Sequence, residues 1–347
     1  MRRKTFNPLH KISVKFSDYE GNAEGAIDAG GPSREMFRLV LEYLKNSELF
    51  TGKNKKHITL NNRCIQDNLY VEAGKIIALS LVHGGPGPHF FSQTLFSLLA
   101  YGHENTVPTL DDVDEDIRTA IVKLQELEIL SDLQEMLISE NIFSIAGCQF
   151  ISNMNEKHTI ITDTIKFYAI KRIENPLNQL IEGLSICGLY EQIRLYPHLF
   201  ENLFCQEKSR LTADSLECTF VMQYSEVGSN KRLLENRAMS YFRDFLADCE
   251  EDETIQNEEC QDRELDEQRS VTLTDVLIFA TGADVLPPLG FPVKPTIQFL
   301  HGEDSRSFPM ANTCGLEFKL PTCHSTYEQF KENMNFAIGN CKSFGFA

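Results

Sequence analysis

The chain has 347 residues, of which 42% are hydrophobic and 24% charged, and its formal net charge is −17. This composition is ordinary for a folded protein, and the length suits two domains, or one large lobe and one small one. The acidic balance disfavours non-specific binding to nucleic acid, and no apolar run is long enough to span a membrane, so neither is an expected partner.

The cysteines indicate a reducing compartment. Ten of them are scattered from Cys64 to Cys341 without a CxxC pair, and the basic N-terminal segment MRRKTFNPLHK has no apolar stretch of a secretory signal behind it. Reduced thiols in the cytosol or nucleus are therefore expected. The nearest metal-ligand set, Cys314 with Cys323 and His324, lacks close paired spacing, so no metal or other cofactor is predicted.

The N-terminal part is predicted to be mainly helical. Residues 11–16 alternate apolar and polar side chains, which predicts a strand. A helix is predicted to begin at Pro32, after a turn that Gly30 and Gly31 permit, because apolar residues then recur at helical spacing. Further helices are predicted at about 68–82, 90–100 and 112–139.

The middle of the chain changes pattern twice. Short β-branched stretches between 141 and 172 favour strands, whereas helical spacing returns from 176 to 204. A helix at 234–246 leads into a run that holds eleven acidic residues and one arginine. Because this run, at 248–268, contains almost no apolar side chains, a solvated loop or a frayed extension of the helix is predicted there.

A boundary is predicted close to residue 282. The helical run before it ends in Thr281-Gly282, and two adjacent prolines follow at 287 and 288. Beyond it, PTIQFL and GLEFKL predict strands, and an amphipathic helix is predicted to begin with a capping box of Ser325 and Glu328. The predicted fold class is therefore α+β, with a small α/β lobe tethered to a larger, mainly helical one.

Cys314 is the side chain in this smaller lobe that suggests chemistry. It lies in the short connection before the second strand, among the polar residues Asn312, Thr313 and Gly315. Structural cysteines usually lie inside apolar runs, so this position favours a reactive thiol.

The tail NTCGLEFKLPTCHSTYEQFKENMNFAIGNCKSFGFA resembles the end of HECT-type ubiquitin ligases, in a divergent branch of that family. The matching features are a Thr-Cys before a strand, a Leu-Pro after it, a Tyr-Glu helix start and a phenylalanine near the end, here Thr313-Cys314, Leu320-Pro321, Tyr327-Glu328 and Phe344. The segments VKFSDYEGNAEGAIDAGGPSREMF and LIFATGADVLPPLGF resemble two further stretches of the family, so the likeness runs from about residue 11 to the end.

The resemblance implies a bilobal HECT-like fold, with an N-lobe at 1–284, a hinge at 285–290 and a C-lobe at 291–347. It also implies a ubiquitin-protein transferase, in which Cys314 accepts ubiquitin from a conjugating enzyme as a glycyl thioester and passes it to a lysine of a protein substrate. The conjugating enzyme is expected to bind at about 195–232.

Several residues are expected to support this cysteine. By resemblance, Thr313 and Asn312 flank it, and Phe344 anchors the tail on the larger lobe. A hinge is needed because one thiol must meet the donor first and the acceptor later. The candidate hinge consists of Val285, Leu286, Pro287, Pro288, Leu289 and Gly290.

The lysine that attacks the thioester must lose a proton, and a nearby carboxylate would assist it. Glu303, Asp304 and Glu317 are near Cys314 in sequence, and nothing singles one of them out.

The sequence also departs from the family pattern, which keeps a rival function open. There is no tryptophan, Asn312 stands where histidine is commoner, and Gly315-Leu316 follows the cysteine where Phe-Asn is usual. The main alternative is a catalytically inactive HECT-like module that binds ubiquitin or a conjugating enzyme. A Cys–His hydrolase that pairs Cys314 with His301 or His324 is a weaker alternative.

Overall fold

The computed structural model of the protein describes residues 7–17, 28, 30–205, 211–259, 270–287, 290–302 and 307–340. Its α-helices are α1 (Gly31–Lys45), α2 (Asn62–Gln66), α3 (Leu69–Val82), α4 (Gln93–Tyr101), α5 (Glu115–Glu126), α6 (Leu130–Ser139), α7 (Asn141–Ile145), α8 (Lys157–Ala169), α9 (Glu174–Leu184), α10 (Leu189–Leu195), α11 (Pro197–Cys205), α12 (Ala213–Thr219), α13 (Asn230–Glu259), α14 (Leu273–Thr281) and α15 (Tyr327–Asn340). Its strands are β1 (Phe50–Thr51), β2 (His57–Ile58), β3 (Val221–Met222), β4 (Thr296–Leu300), β5 (Met310–Asn312) and β6 (Glu317–Pro321). The fold is α+β and mainly helical, as predicted.

The chain divides into two compact units. The first unit comprises Met1–Leu9, Val40–Val82 and Gly87–Glu207, and the second comprises His10–Leu39, His83–Pro86 and Lys208–Ala347. The second unit therefore contains both the first part of α1 and the Cys314 region. The predicted lobes, at 1–284 and 291–347, are a different division that depends on the hinge, and they stay a prediction.

Two glycines allow close contact between helices α3 and α9 in the first unit. A Cβ on Gly74 would lie 2.3 Å from the carbonyl oxygen of Leu180, and a Cβ on Gly183 would lie 2.1 Å from the carbonyl oxygen of Val71. Real Cβ atoms do not approach so closely, so the two backbones touch at a point where no side chain fits.

Replacing Gly183 with alanine is expected to destabilise the first unit, because the added methyl group must push α3 and α9 apart. Overpacking of this kind costs about 1–3 kcal/mol or more, which exceeds the gain of up to about 1 kcal/mol in helix propensity. Chemical denaturation would measure the loss. The control is Gly339→Ala in α15, where the new Cβ meets no atom closer than 3.9 Å; an equal effect of both changes would contradict the expectation.

The second unit is built around a four-stranded sheet with the order β3-β4-β6-β5. Strand β4 runs parallel to β3 and to β6, whereas β5 pairs antiparallel with β6 and places Asn312 opposite Glu317. The central strand β6 buries Phe318 and Leu320 completely. The ring of Phe318 lies 5.6 Å from that of Phe242 and 5.8 Å from that of Phe279, so α13 and α14 pack on the sheet through aromatic contacts.

The first part of the acidic run extends α13 to Glu259, so residues 248–259 form a helix extension and the loop interpretation is wrong for them, while residues 260–268 lie outside the described ranges. Two of its carboxylates cap other helices. Glu250 accepts a hydrogen bond from the N–H of Ala213 at the start of α12, and Glu253 accepts one from the N–H of Leu273 at the start of α14. Both bonds satisfy helix N-terminal donors, which favour negative charge. Glu250 and Glu253 therefore connect α13 to the N-terminal ends of α12 and α14.

A buried carboxylate links α13 to the sheet. Glu235 is 1% exposed and accepts hydrogen bonds from the N–H (2.8 Å) and hydroxyl (2.5 Å) of Ser225. Its Oε1 also lies 2.7 Å from Nε2 of His301, just after β4. Burial raises the pKa of Glu235, but the hydrogen bonds from Ser225 and His301 outweigh it and hold the pKa below its usual value of 4.5.

This cluster is expected to lose stability in acid. A carboxylate whose pKa is lower in the native state than in the unfolded state stabilises the fold above about pH 4.5, and the contribution disappears as the pH falls through the native pKa. Glu235→Gln should therefore weaken the dependence of the unfolding free energy on pH below about pH 4.5, and should cost about 1–3 kcal/mol at neutral pH. Urea denaturation across this pH range would test it. Ser225→Ala, which removes one donor, should have an intermediate effect. If the unfolding free energy of Glu235→Gln falls in acid as steeply as that of the unmodified protein, the prediction is wrong.

Most predicted helices and both C-terminal strands are confirmed, but three local predictions are wrong. Residues 11–16 form no strand, and 141–172 is mainly helical, with α8 burying β-branched residues at helical spacing. Packing of that face outweighs the strand preference of single residues. The last helix is capped by Thr326, whose hydroxyl accepts from the N–H of Gln329, rather than by Ser325.

None of the eight cysteines in the described ranges forms a disulfide. Among the same residues, no helix combines the length and hydropathy that crossing a membrane would need.

Candidate active site

Cys314 lies in a four-residue turn, 313–316, which joins β5 to β6. The side chain of Asn312 accepts a hydrogen bond from the N–H of Gly315 at 3.1 Å, and the N–H of Thr296 on β4 donates to the carbonyl of Leu316 at 2.8 Å. Both ends of the turn are therefore held. The cysteine itself is half-buried and lies between exposed neighbours, Asn312 and Gly315.

Two departures from the family pattern have a structural explanation here. Asn312 caps the turn through its amide oxygen. Leu316 adopts a left-handed conformation, with φ 54°, which costs a residue with a Cβ about 1–2 kcal/mol. The usual asparagine tolerates that conformation, whereas Leu316 offsets the cost by burying its side chain to 4% exposure.

The start of α1 packs against this turn. A Cβ on Gly31 would lie 2.3 Å from the hydroxyl oxygen of Thr313 and 3.0 Å from the backbone nitrogen of Cys314. Arg34, one turn further along the helix, donates from Nη2 to the carbonyl of Thr313 at 2.6 Å and from Nε to the carbonyl of Thr281 at 2.9 Å. The cysteine turn is thus bound to the first turn of α1 and, through Arg34, to the end of α14.

Two ionisable side chains, Cys314 and Asp28, interact with the Arg34 guanidinium. Burial lowers the pKa of Arg34, and these electrostatic interactions oppose the shift. Asp28 accepts hydrogen bonds from Val14, Gly30 and Ser33. Burial raises the pKa of the Asp28 carboxyl, but these bonds outweigh it and lower the pKa overall. Asp28 is therefore a carboxylate at neutral pH, and it connects Val14 to Gly30 and to Ser33 in the first turn of α1.

Several other cysteines are poor candidates for a reactive thiol. Cys64, Cys205 and Cys249 are buried, and burial raises the pKa of the first to about 11 and of the other two to about 12. A thiol with such a pKa holds almost no thiolate at neutral pH. Cys218 and Cys323 are exposed, and they serve as comparisons for Cys314 in the experiments below.

The histidines considered for a Cys–His pair have other partners. Nε2 of His301 faces Glu235 at 2.7 Å, and its Nδ1 lies 3.4 Å from the hydroxyl of Thr322. Nε2 of His324 lies 2.8 Å from the carbonyl oxygen of Ser307. These contacts give the two rings structural roles. No group of three or more metal-binding side chains occurs among the described residues.

The remaining predicted site residues are placed only in part. Val285, Leu286 and Pro287 follow α14 without regular structure, and Gly290 donates its N–H to the carbonyl of Pro287 at 2.8 Å. Glu317, on β6, pairs with Lys319 at 3.6 Å. Outside the described ranges lie Pro288, Leu289, Glu303, Asp304 and Phe344. The hinge and the tail anchor stay predictions.

The sequence did not identify Arg34 or Gly31 as part of this site. The two glycines before Pro32 indicated a helix start, and Arg34 belonged to a motif that marked the same helix. The contact of Arg34 with the cysteine turn joins residues 279 positions apart in the chain, and no local pattern reports such a distance.

Comparisons with known proteins agree with the family suggested by the sequence. Residues 264–347 match the family model described as HECT-domain (ubiquitin-transferase). The chain is 34% identical over 343 residues, 98% of its length, to the G2/M phase-specific E3 ubiquitin-protein ligases of Homo sapiens and Macaca fascicularis, and 35% identical over 340 residues to that of Gallus gallus. It spans 44%, 44% and 42% of these relatives. The expected resemblance is thereby confirmed: residues 264–347 match the HECT-domain model, and the chain is similar over almost its whole length to G2/M phase-specific E3 ubiquitin-protein ligases.

Proposed function

We propose that the protein is a HECT-type ubiquitin-protein ligase that carries ubiquitin as a thioester on Cys314. The observation that supports this most directly is the half-buried thiol in a turn that backbone and side-chain hydrogen bonds hold on both sides. A nucleophile must be both accessible and oriented, and this turn offers the two properties together.

The proposed reaction has two steps. In the first, the Cys314 thiolate attacks the thioester carbonyl of ubiquitin on a conjugating enzyme; a new C–S bond forms, the old C–S bond breaks, and the enzyme's cysteine leaves as a thiolate. One thioester replaces another, so little free energy is lost. In the second step, a lysine amine of the substrate attacks the same carbonyl, the isopeptide C–N bond forms, Cys314 leaves as a thiolate, and the amine loses its proton to solvent or a base.

The proposed partners are a conjugating enzyme, ubiquitin and a protein substrate. We propose, from the resemblance, that the conjugating enzyme binds at about 195–232, and the range exposes large apolar side chains. Leu195 and Leu199 are 65% and 60% exposed in the first unit, and Val227 is 91% exposed in the second. Exposed apolar residues of this kind suit a protein partner. Residues 206–210 of the range lie outside the described ranges. We place the reaction in the cytosol or nucleus, in keeping with the scattered cysteines.

Incubation with a ubiquitin-charged conjugating enzyme tests the proposal. The protein should gain one ubiquitin in a band that survives a non-reducing gel and disappears with reductant. An oxygen or amide linkage would resist the reductant, so this sensitivity identifies a thioester. Failure of several charged conjugating enzymes to give such a band would contradict the proposal and favour a HECT-like module that only binds ubiquitin or a conjugating enzyme.

A further inference from the structure

Arg34 joins three distant segments of the second unit. Its side chain is only 8% exposed. The guanidinium binds the carbonyl of Thr281 at the end of α14 and the carbonyl of Thr313 in the cysteine turn, and it lies 5.8 Å from the centre of the Phe291 ring. Burying an arginine is costly unless its N–H donors are satisfied. The planar guanidinium, with donors in a fixed fork-like geometry, is suited to bridging two fixed acceptors.

Gly31 contacts the same turn from the same helix. Its Cα faces the peptide that links Thr313 to Cys314, and a methyl group there would overlap with Thr313. Gly282, which caps α14 with φ 75°, also lies against α1, since its Cβ would be 3.2 Å from the carbonyl oxygen of Gly31. The turn that carries the thiol is therefore packed where the start of α1 meets the end of α14.

From these contacts we infer that Arg34 is a positioning residue for Cys314, and that it acts in the second step, when a lysine attacks the thioester. By holding the carbonyl of Thr313, Arg34 determines where the sulfur and its attached acyl group stand. The inference rests on the proposed function and assigns a residue to its second step.

The assignment to the second step follows from what each step requires. Loading brings the thiol to a bulky conjugating enzyme, and under the predicted hinge at 285–290 the cysteine turn must leave α1 to reach it. A contact that is broken in a step does not accelerate that step. Attack by a lysine instead gains from a fixed electrophile, because a small misplacement of the reacting atoms lowers the rate strongly.

Two substitutions of Arg34 separate charge from geometry. Arg34→Met removes both hydrogen bonds, and Arg34→Lys keeps the positive charge but has no fork to span the carbonyls of Thr281 and Thr313. Single-turnover loading from a charged conjugating enzyme and discharge of the loaded protein to free lysine would be measured separately. We expect Arg34→Met to slow discharge at least tenfold and to leave loading within about threefold, and Arg34→Lys to recover only part of the discharge rate.

Gly31→Ala provides a second variant that leaves the arginine in place. Its methyl group pushes on Thr313 from the other side, so discharge should slow while loading is retained. The matched controls are Gly339→Ala, whose methyl group comes no closer than 3.9 Å to another atom, and Arg237→Met, which removes an arginine that donates to the carbonyl of Thr322 away from the cysteine turn. Both controls should discharge at the rate of the unmodified protein. If Arg34→Met does not fold, Arg34→Lys and Gly31→Ala decide.

Three outcomes would overturn the inference. Equal slowing of loading and discharge in the Arg34 variants would indicate a structural role alone, and an unchanged discharge rate in Arg34→Met would exclude a positioning role. Full rescue by Arg34→Lys would show that charge, rather than the fork geometry, matters. Absence of any reductant-sensitive adduct in the unmodified protein would contradict the proposed function itself, so the two failures are distinguishable.

Discussion

Replacing Cys314 with alanine is expected to abolish the ubiquitin adduct completely. The sulfur is the atom that the proposed mechanism requires, and no other side chain of the turn is a comparable nucleophile. The change should leave the turn in place, because the hydrogen bonds at Asn312, Thr313 and Leu316 involve other residues. A reductant-sensitive gel band with charged conjugating enzyme would measure the loss, and thermal unfolding would confirm an intact fold.

The matched controls for this change are the two exposed cysteines. Cys218→Ala and Cys323→Ala remove thiols that meet solvent more fully than Cys314 does, and both variants should form the adduct at the normal rate. An adduct that persists in Cys314→Ala, or one that Cys323→Ala removes, would place the thioester on another residue.

Replacing Phe318 with alanine is expected to have the largest effect on stability, with a loss of about 3–5 kcal/mol in the free energy of unfolding. The ring is fully buried at the centre of the four-stranded sheet. It contacts the rings of Phe220, Phe242 and Phe279 at centroid distances of 5.6–6.2 Å, so its removal leaves a cavity where α13 and α14 meet the sheet. The same strand, β6, follows the cysteine turn, and adduct formation should fall with the folded fraction.

Phe336→Ala is the control for this prediction. Phe336 lies on α15 in the same unit, is 61% exposed and contacts only the partly exposed ring of Phe308 among the described aromatic pairs. Its removal should cost about 1 kcal/mol or less, because little apolar surface is lost from the core. Denaturant titrations of both variants would compare the two losses. A cost below about 1 kcal/mol for Phe318→Ala would mean that the sheet core does not hold α13 and α14 together.

Local sequence predicted much of the helical structure for a physical reason. In α3 and α14 the apolar residues form long runs, and the helix ends are marked by glycine or proline, so neighbouring residues carry the information. The prediction failed at 141–172, where β-branched residues suggested strands. There, burial of one face of α8 outweighs the small intrinsic preference of each residue.

The sequence by itself determined the family resemblance, the strand after the cysteine and the polar surroundings of Cys314, because each of these depends on residues close together in the chain. Only the tertiary structure decided what holds the cysteine turn. Arg34 meets Thr313 across 279 positions and Thr281 across 247, and Gly31 is required by a backbone contact with the same turn. Contacts between distant segments form only when the whole second unit folds, so no local pattern predicts them.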